Sequence, residues 1–194
     1  LGDVYKRQVF GIINTEMGVV GIIPQIAETF GVTVPQAGWT VSVFALIVAI
    51  AAPIMPLLFS GMNRRTVMLL ALGLFTASNL ISIFTESFAV LLVARALPAF
   101  LHPVYVSMAF TVAAQSTLKE DASKAVSRVF IGVSAGMVLG VPVTSFIASH
   151  TSFAVAMGFF ATINALVLLA TLFCVPSMPC LLYTSPSPRD MRRS

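Results

Sequence analysis

Three ionisable residues, Glu16, Arg95 and His102, lie inside long apolar stretches of this chain. Glu16 sits in NTEMG, about seven residues into the first stretch. A carboxylate there is costly to ionise unless paired or wetted, so it is suited to take up and release a proton or to hold a cation. Arg95 lies about seven residues into the fourth stretch, roughly 10 Å deep by helical rise. Its guanidinium keeps its charge and must find carbonyls, a carboxylate or water, or snorkel to the interface. His102 falls at about 20 Å by the same measure, near the depth of Glu16 counted from the other side. The two could share a cavity. A lone His beside Pro103, whose ring disfavours helical geometry at the preceding residue, reads first as a packing or hydrogen-bonding group at a bend. Asn79, Tyr105, Gln115 and Asn164 read as interhelical hydrogen-bonders, with cavity lining as the alternative, and Asn14 and Tyr105 join Glu16, Arg95 and His102 as candidate proton or substrate residues.

The elements that must hold these groups are six apolar runs, at 9–30, 38–59, 66–84, 88–114, 126–149 and 153–175. Hydrophobic residues make up 58% of the chain and charged ones 9%, with a mean hydropathy of +0.98. A water-soluble domain carries about 25% charged residues. Each run has the roughly 18 residues or more that cross about 30 Å of hydrocarbon as a helix. They are too long, and too apolar on every face, for barrel strands of about ten alternating residues. The fold class is therefore an all-α membrane protein, a six-helix transmembrane bundle.

The breaks between runs are short, so neighbouring helices are antiparallel. Lys and Arg cluster at alternate breaks: Arg64 and Arg65 in the second, Lys119 and Lys124 in the fourth, with Arg128 just beyond. The bias of Lys and Arg toward the cytoplasm puts these breaks, and both ends of 9–179, inside the cell. The expected location is the inner or plasma membrane, multi-pass. Gly132, Gly136 and Gly140 recur every fourth residue, on one helix face where a neighbour's backbone can approach, and Pro142 follows.

The termini read differently. One choice of codons for LGDVYKRQ has a reverse complement that, shifted by one base, encodes Cys180 to Pro186. The string resembles the transposase adapter of sequencing libraries read through as coding sequence. Residues 1–8 and 180–194 are then adapter-derived, and 9–179 is a fragment of a longer protein. These ends carry five cations and two anions, against six and five in 9–179, so three of the four net positive charges belong to them. The pI of about 9.5 thus implies no nucleic-acid partner. Cys174 is left alone, which makes neither a disulfide framework nor a metal site. There is no nucleophile elbow, phosphate loop, HExxH or zinc spacing, so no enzyme and no cofactor are expected.

Five segments together carry a resemblance to the amino-terminal half of a major facilitator superfamily transporter, in the drug and sugar-efflux proton antiporter branch that includes arabinose-efflux permeases. TEMGVVGIIPQIAETFGV with QAGWTVSVFAL looks like its first two helices. SGMNRRTVMLL sits where the family has its glycine, acidic and basic loop motif. Gly61, Arg64 and Arg65 fit, while Asn63 stands where Asp is common. VARALPAFLHPVYVSMAF looks like the fourth-helix motif, with Arg95 as the embedded arginine and Ala99 and Pro103 where glycine is frequent. GVSAGMVLGVP resembles the fifth-helix antiporter motif, carried by Gly132, Gly136, Gly140 and Pro142.

The resemblance implies twelve helices in two halves, with substrate bound near the midplane between them. It implies proton-coupled efflux of a small molecule, the proton being the coupling ion. Glu16 would bind the proton or a cationic substrate, and Arg95 would tune that site or gate its outer path. The partners implied are the lipid bilayer, the substrate and a missing carboxy-terminal half, without which this chain would be inactive. The alternatives are an uncoupled facilitator and a self-contained six-helix channel subunit or scaffold, oligomerising through the Gly132 to Gly140 face.

Overall fold

The structure is a computed structural model that describes residues 2–115 and 122–174. Among these residues it is helical throughout, with six helical spans long and apolar enough to cross a membrane.

The first span has three parts: α1 (Gly2–Gly18), a 3-10 turn at Val19–Ile22, and α2 (Ile23–Phe30). Pro24, in the first turn of α2, offers no N–H and its ring crowds the carbonyl four residues back, so the chain tightens ahead of it. α2 ends at Gly31, whose φ of 62° is the left-handed cap, its N–H donating to Ala27 O. Thr33 and Gln36 then form a reciprocal capping box on α3 (Val34–Ala37).

The second span differs from the continuous helix expected over 38–59. It begins earlier, at Val34, and α4 (Trp39–Ala51) gives way to turns before α5 (Met55–Leu58). Pro53 and Pro56 remove successive backbone donors, which explains the interruption. The remaining spans are α6 (Arg64–Phe84), α7 (Phe88–Gln115), α8 (Ala122–His150) and α9 (Phe153–Cys174). α8 starts before the expected residue 126, so Lys124 rides on its first turn rather than preceding it, with Arg128 one turn further on. Lys119 lies outside the described residues, as do residues 175–194. α7 runs as one α-helix through Pro98 and Pro103. The carbonyl that Pro98 leaves free, that of Ala94, accepts a bond from Ser78 Oγ on α6.

Helix pairing sets the depth of every residue. The rings of Phe30, Phe88 and Phe153 meet at centroid distances of 6.1 and 5.3 Å, tying the end of α2 to the starts of α7 and α9. α1 packs most extensively on α8, and α6 lies between α7 and α9. Gly132, Gly136 and Gly140 are all buried. A Cβ at Gly140 would stand 3.3 Å from Asn14 O, and one at Gly136 would stand 3.1 Å from Phe10 O, so these glycines let the α1 backbone approach α8 directly. The contact is reciprocal: a Cβ at Gly21 would stand 2.7 Å from Val141 O. Pro142, next in the motif, is exposed within an unbroken helix.

Two apolar cores result. One gathers Ile12, Phe44, Met68, Phe75 and Tyr105; the other gathers Val19, Ile22, Leu91, Met157 and Phe160. Large apolar side chains also face outward, Phe84 and Phe173 being 81% exposed. Such surfaces need lipid or another protein face as their solvent.

The close packing of the first span on α8 makes a prediction. Gly21→Ala is expected to destabilise the protein by about 1–3 kcal/mol, because the clash is with backbone. A Cβ at Gly73 meets nothing within 4 Å, so Gly73→Ala should be neutral or stabilising by up to about 1 kcal/mol. Thermal melts in detergent compare the two, and equal shifts would contradict the packing.

Candidate functional site

The polar groups collect in a layer between the two cores. On the first span it comprises Asn14, Thr15 and Glu16, bracketed by Ile12 and Val19. On α6 it comprises Ser78 and Asn79, beyond Phe75. On α9 it is Asn164, between Phe160 and Val167. Arg95 and His102 reach this layer from α7.

The phenylalanine cluster explains why Glu16 and His102 meet. Glu16 precedes Phe30 by fourteen positions and His102 follows Phe88 by fourteen. Spans running in opposite senses from one layer therefore bring the two to the same depth, about 21 Å from it. His102 Nε2 lies 2.9 Å from Glu16 Oε2. It is a close charge contact rather than an aligned hydrogen bond. The imidazole, expected first as a packing group at a bend, is thus buried in direct contact with the partly buried carboxylate of Glu16. It also packs edge-on against Phe44 and Phe75, at centroid distances of 5.7 and 6.3 Å. Its Nδ1 is buried without a hydrogen-bond partner.

Arg95 is buried and does not snorkel. Its Nε donates to Thr40 O at 3.4 Å, and its guanidinium carbon stands 5.6 Å above the Phe44 ring. The guanidinium feels the Glu16 charge without an ion pair to it within 4.0 Å. Phe44 is thereby shared: one part of the ring faces Arg95 and another meets His102. Thr15, Glu16, Phe44, Phe75, Ser78, Asn79, Arg95 and Pro98 line a narrow cleft with about 10 Å³ of space for a water centre. That is room for about one water, so the site is closed in this conformation.

The other expected polar residues divide. Asn164 Nδ2 donates to Thr15 Oγ1 at 2.9 Å, and Thr15 Oγ1 donates to Gly11 O at 3.0 Å, which ties α9 to α1. The amide nitrogens of Asn14 and Asn79 are buried without hydrogen-bond partners. Tyr105 is fully buried in the core with Ile12 and Phe75, away from the cleft lining. The Gln115 side chain lies outside the described residues. Phe44, Phe75, Ser78 and Thr40 were not singled out from sequence. An aromatic in an apolar run carries no signal of its own, although the Ser-Asn pair at 78–79 was visible.

The loop motif has a separate structural role. Gly61 is exposed and Arg64 half-buried. Asn63 Oδ1 accepts from Arg65 N at 3.0 Å, making Asn63 the N-cap of α6. Arg65 Nη2 donates to Leu172 O at 2.5 Å, in the last turn of α9. A cation there meets the negative end of the helix dipole.

A family profile for the Major Facilitator Superfamily matches residues 9–189, and the chain belongs to that family. The family comprises membrane transporters rather than enzymes, and the chain is accordingly a multi-pass membrane protein. YtbD of Bacillus subtilis, an uncharacterised MFS-type transporter, is 34% identical over 168 residues, which cover 87% of this chain and 42% of that protein. YdhP of Escherichia coli K12, an inner membrane transport protein, is 31% identical over 153 residues, covering 79% and 39%. The chain therefore spans about two fifths of the length of these relatives. Among solved structures, the human organic anion transporter MFSD10 (TETRAN) superimposes with a TM-score of 0.71 at 19% identity, over 91% of this chain and 47% of its own. The peptide transporter POT gives 0.76 at 13%, over 87% and 36%. At these identities the likeness is one of fold.

The Arg65 contact is testable. Arg65→Ala is expected to cost about 1 kcal/mol or less and to speed hydrogen exchange in the last turn of α9, with the α1–α8 contact unchanged. Exchange at Leu172 and its neighbours that is unaltered would show that the tie is absent in the membrane.

Proposed function

We propose that the chain is the amino-terminal half of a proton-coupled efflux transporter that exchanges protons for a small molecule such as a drug or sugar. Residues 1–8 and 180–194 would be adapter-derived, on the back-translation match. The profile match running to residue 189 overlaps that tail. The observation that carries the functional reading is the contact between buried His102 and partly buried Glu16 in the polar layer of the bundle, with Arg95 fixed beside it. Charged groups at such depth are costly and mark proton or substrate paths.

In this reading Glu16 holds the coupling proton or a cationic substrate. Arg95, held off the carboxylate by Thr40 O and Phe44, is a fixed positive charge placed to tune the site or to gate its outer path. The cleft is too small for a substrate as it stands, and a second six-helix half would complete a cavity at the midplane. The glycine contact between α1 and α8 offers a smooth surface for rocking. Arg64 and Arg65 in the break at 60–65 support a cytoplasmic side for that break, and the likeness to an inner membrane transport protein supports an inner-membrane location.

A self-assembling six-helix scaffold is the weaker reading. The Gly132 to Gly140 face it would use is already covered by α1. An uncoupled facilitator differs only in ignoring the proton gradient.

Glu16→Gln in the full-length protein is expected to abolish proton-driven transport in proteoliposomes, assayed with a panel of cationic dyes and sugars, while membrane insertion and yield stay at wild-type levels. Unchanged gradient-driven transport in that variant would remove Glu16 from the coupling step.

A further inference from the structure

We infer that the coupling proton is held jointly by His102 and Glu16, on the imidazole Nε2 against the carboxylate, and that Arg95 takes no direct part in binding it. The inference rests on the transporter reading for what the proton does, but only on the geometry for where it sits.

The carboxylate has two cationic or potentially cationic neighbours, and the structure treats them differently. His102 Nε2 is at 2.9 Å. Arg95 is committed elsewhere, to Thr40 O and the Phe44 face. Among the described residues, Glu16 and Arg95 are the charged side chains that line the cleft, with His102 touching Glu16 beside it; α4 contributes Phe44, and α6 contributes Phe75, Ser78 and Asn79. With the imidazole neutral, the trio of Arg95, Glu16 and His102 has no net charge. Taking one proton onto Nε2 makes an imidazolium against a carboxylate and leaves a net charge of plus one. The alternative of protonating Glu16 would leave a neutral acid beside a neutral ring. With Nε2 and Oε2 already at 2.9 Å, a proton on the ring sets opposite charges in contact, and their attraction offsets part of the cost of removing both from water. The ring is also held in place edge-on by Phe44 and Phe75, so it cannot leave the carboxylate without repacking both.

The proton then acts as a latch. While it is bound, the imidazolium occupies Glu16 and ties α7 to α1. Once it leaves Nε2, the carboxylate keeps its charge and is open to a cationic or hydrogen-bond-donating substrate. Proton and substrate are thereby mutually exclusive on one group, which exchange transport requires.

The test counts protons and needs no substrate. Purified full-length protein in detergent is stepped between about pH 8 and pH 5, the range in which imidazole changes charge, and uptake is read with a soluble pH-indicator dye. Wild type is compared with Glu16→Gln, His102→Gln and the double variant, each required to elute as a monodisperse peak; His102→Asn and Glu16→Asn stand in for any variant that does not. Joint holding predicts that each single variant takes up one proton fewer than wild type and that the double variant loses no more than either. Losses that add to two in the double variant would overturn the inference, because the groups would then titrate independently. Loss in Glu16→Gln alone would also overturn it while leaving the carboxylate as the proton site. Loss in neither would overturn both this inference and the coupling role of Glu16.

Discussion

A charge inside a lipid-spanning bundle has to be partnered, and this single requirement organises the structure around Glu16. A buried ion left alone costs several kcal/mol, and removing one member of a buried pair typically costs about 3–5 kcal/mol. The carboxylate at Glu16 is matched by His102, and the arginine that cannot lose its charge is matched by a backbone carbonyl and an aromatic face. Everything else in the bundle serves to bring α1, α4 and α7 to those separations.

Three local features do so. The glycines of α8 let α1 approach to backbone contact, which fixes the helix that carries Glu16. The phenylalanine layer of Phe30, Phe88 and Phe153 fixes the axial register of α2, α7 and α9. Pro98 frees the carbonyl of Ala94, and Ser78 satisfies it from α6, so a helix defect near Arg95 becomes a link between helices. The glycines and Pro98 thereby turn residues that are unfavourable in a soluble helix interior into positional constraints. Gly and Pro are tolerated in membrane helices because neighbours re-satisfy what they release.

The fold was largely legible in the sequence because lipid imposes length and composition. The six apolar runs, their short breaks and the every-fourth glycines each follow from one strong rule. The second span departs from the continuous run at 38–59 because Pro53 and Pro56 together end the helix and a new turn begins. The site was legible in part. Glu16 and Arg95 stood out by charge, and the equal depth of Glu16 and His102 could be counted. What counting could not give was rotation about each helix axis, which decides that His102 rather than Arg95 touches the carboxylate. Phe44 and Phe75 were invisible for the same reason: their importance lies in where a ring faces. Asn63, which stands where Asp is common in the family's loop motif, serves as a helix cap.

The central claim is that Glu16 and His102 are in energetic contact inside the folded protein. A double-mutant cycle on unfolding free energy measures this directly, using Glu16→Gln, His102→Gln and the double variant of the full-length protein in bicelles. Residues in contact typically couple by about 0.5–3 kcal/mol, whereas distant residues add to within about 0.5 kcal/mol. A coupling of about 1 kcal/mol or more is the result this account predicts. Strict additivity would contradict it, and would mean that the carboxylate finds its partner elsewhere.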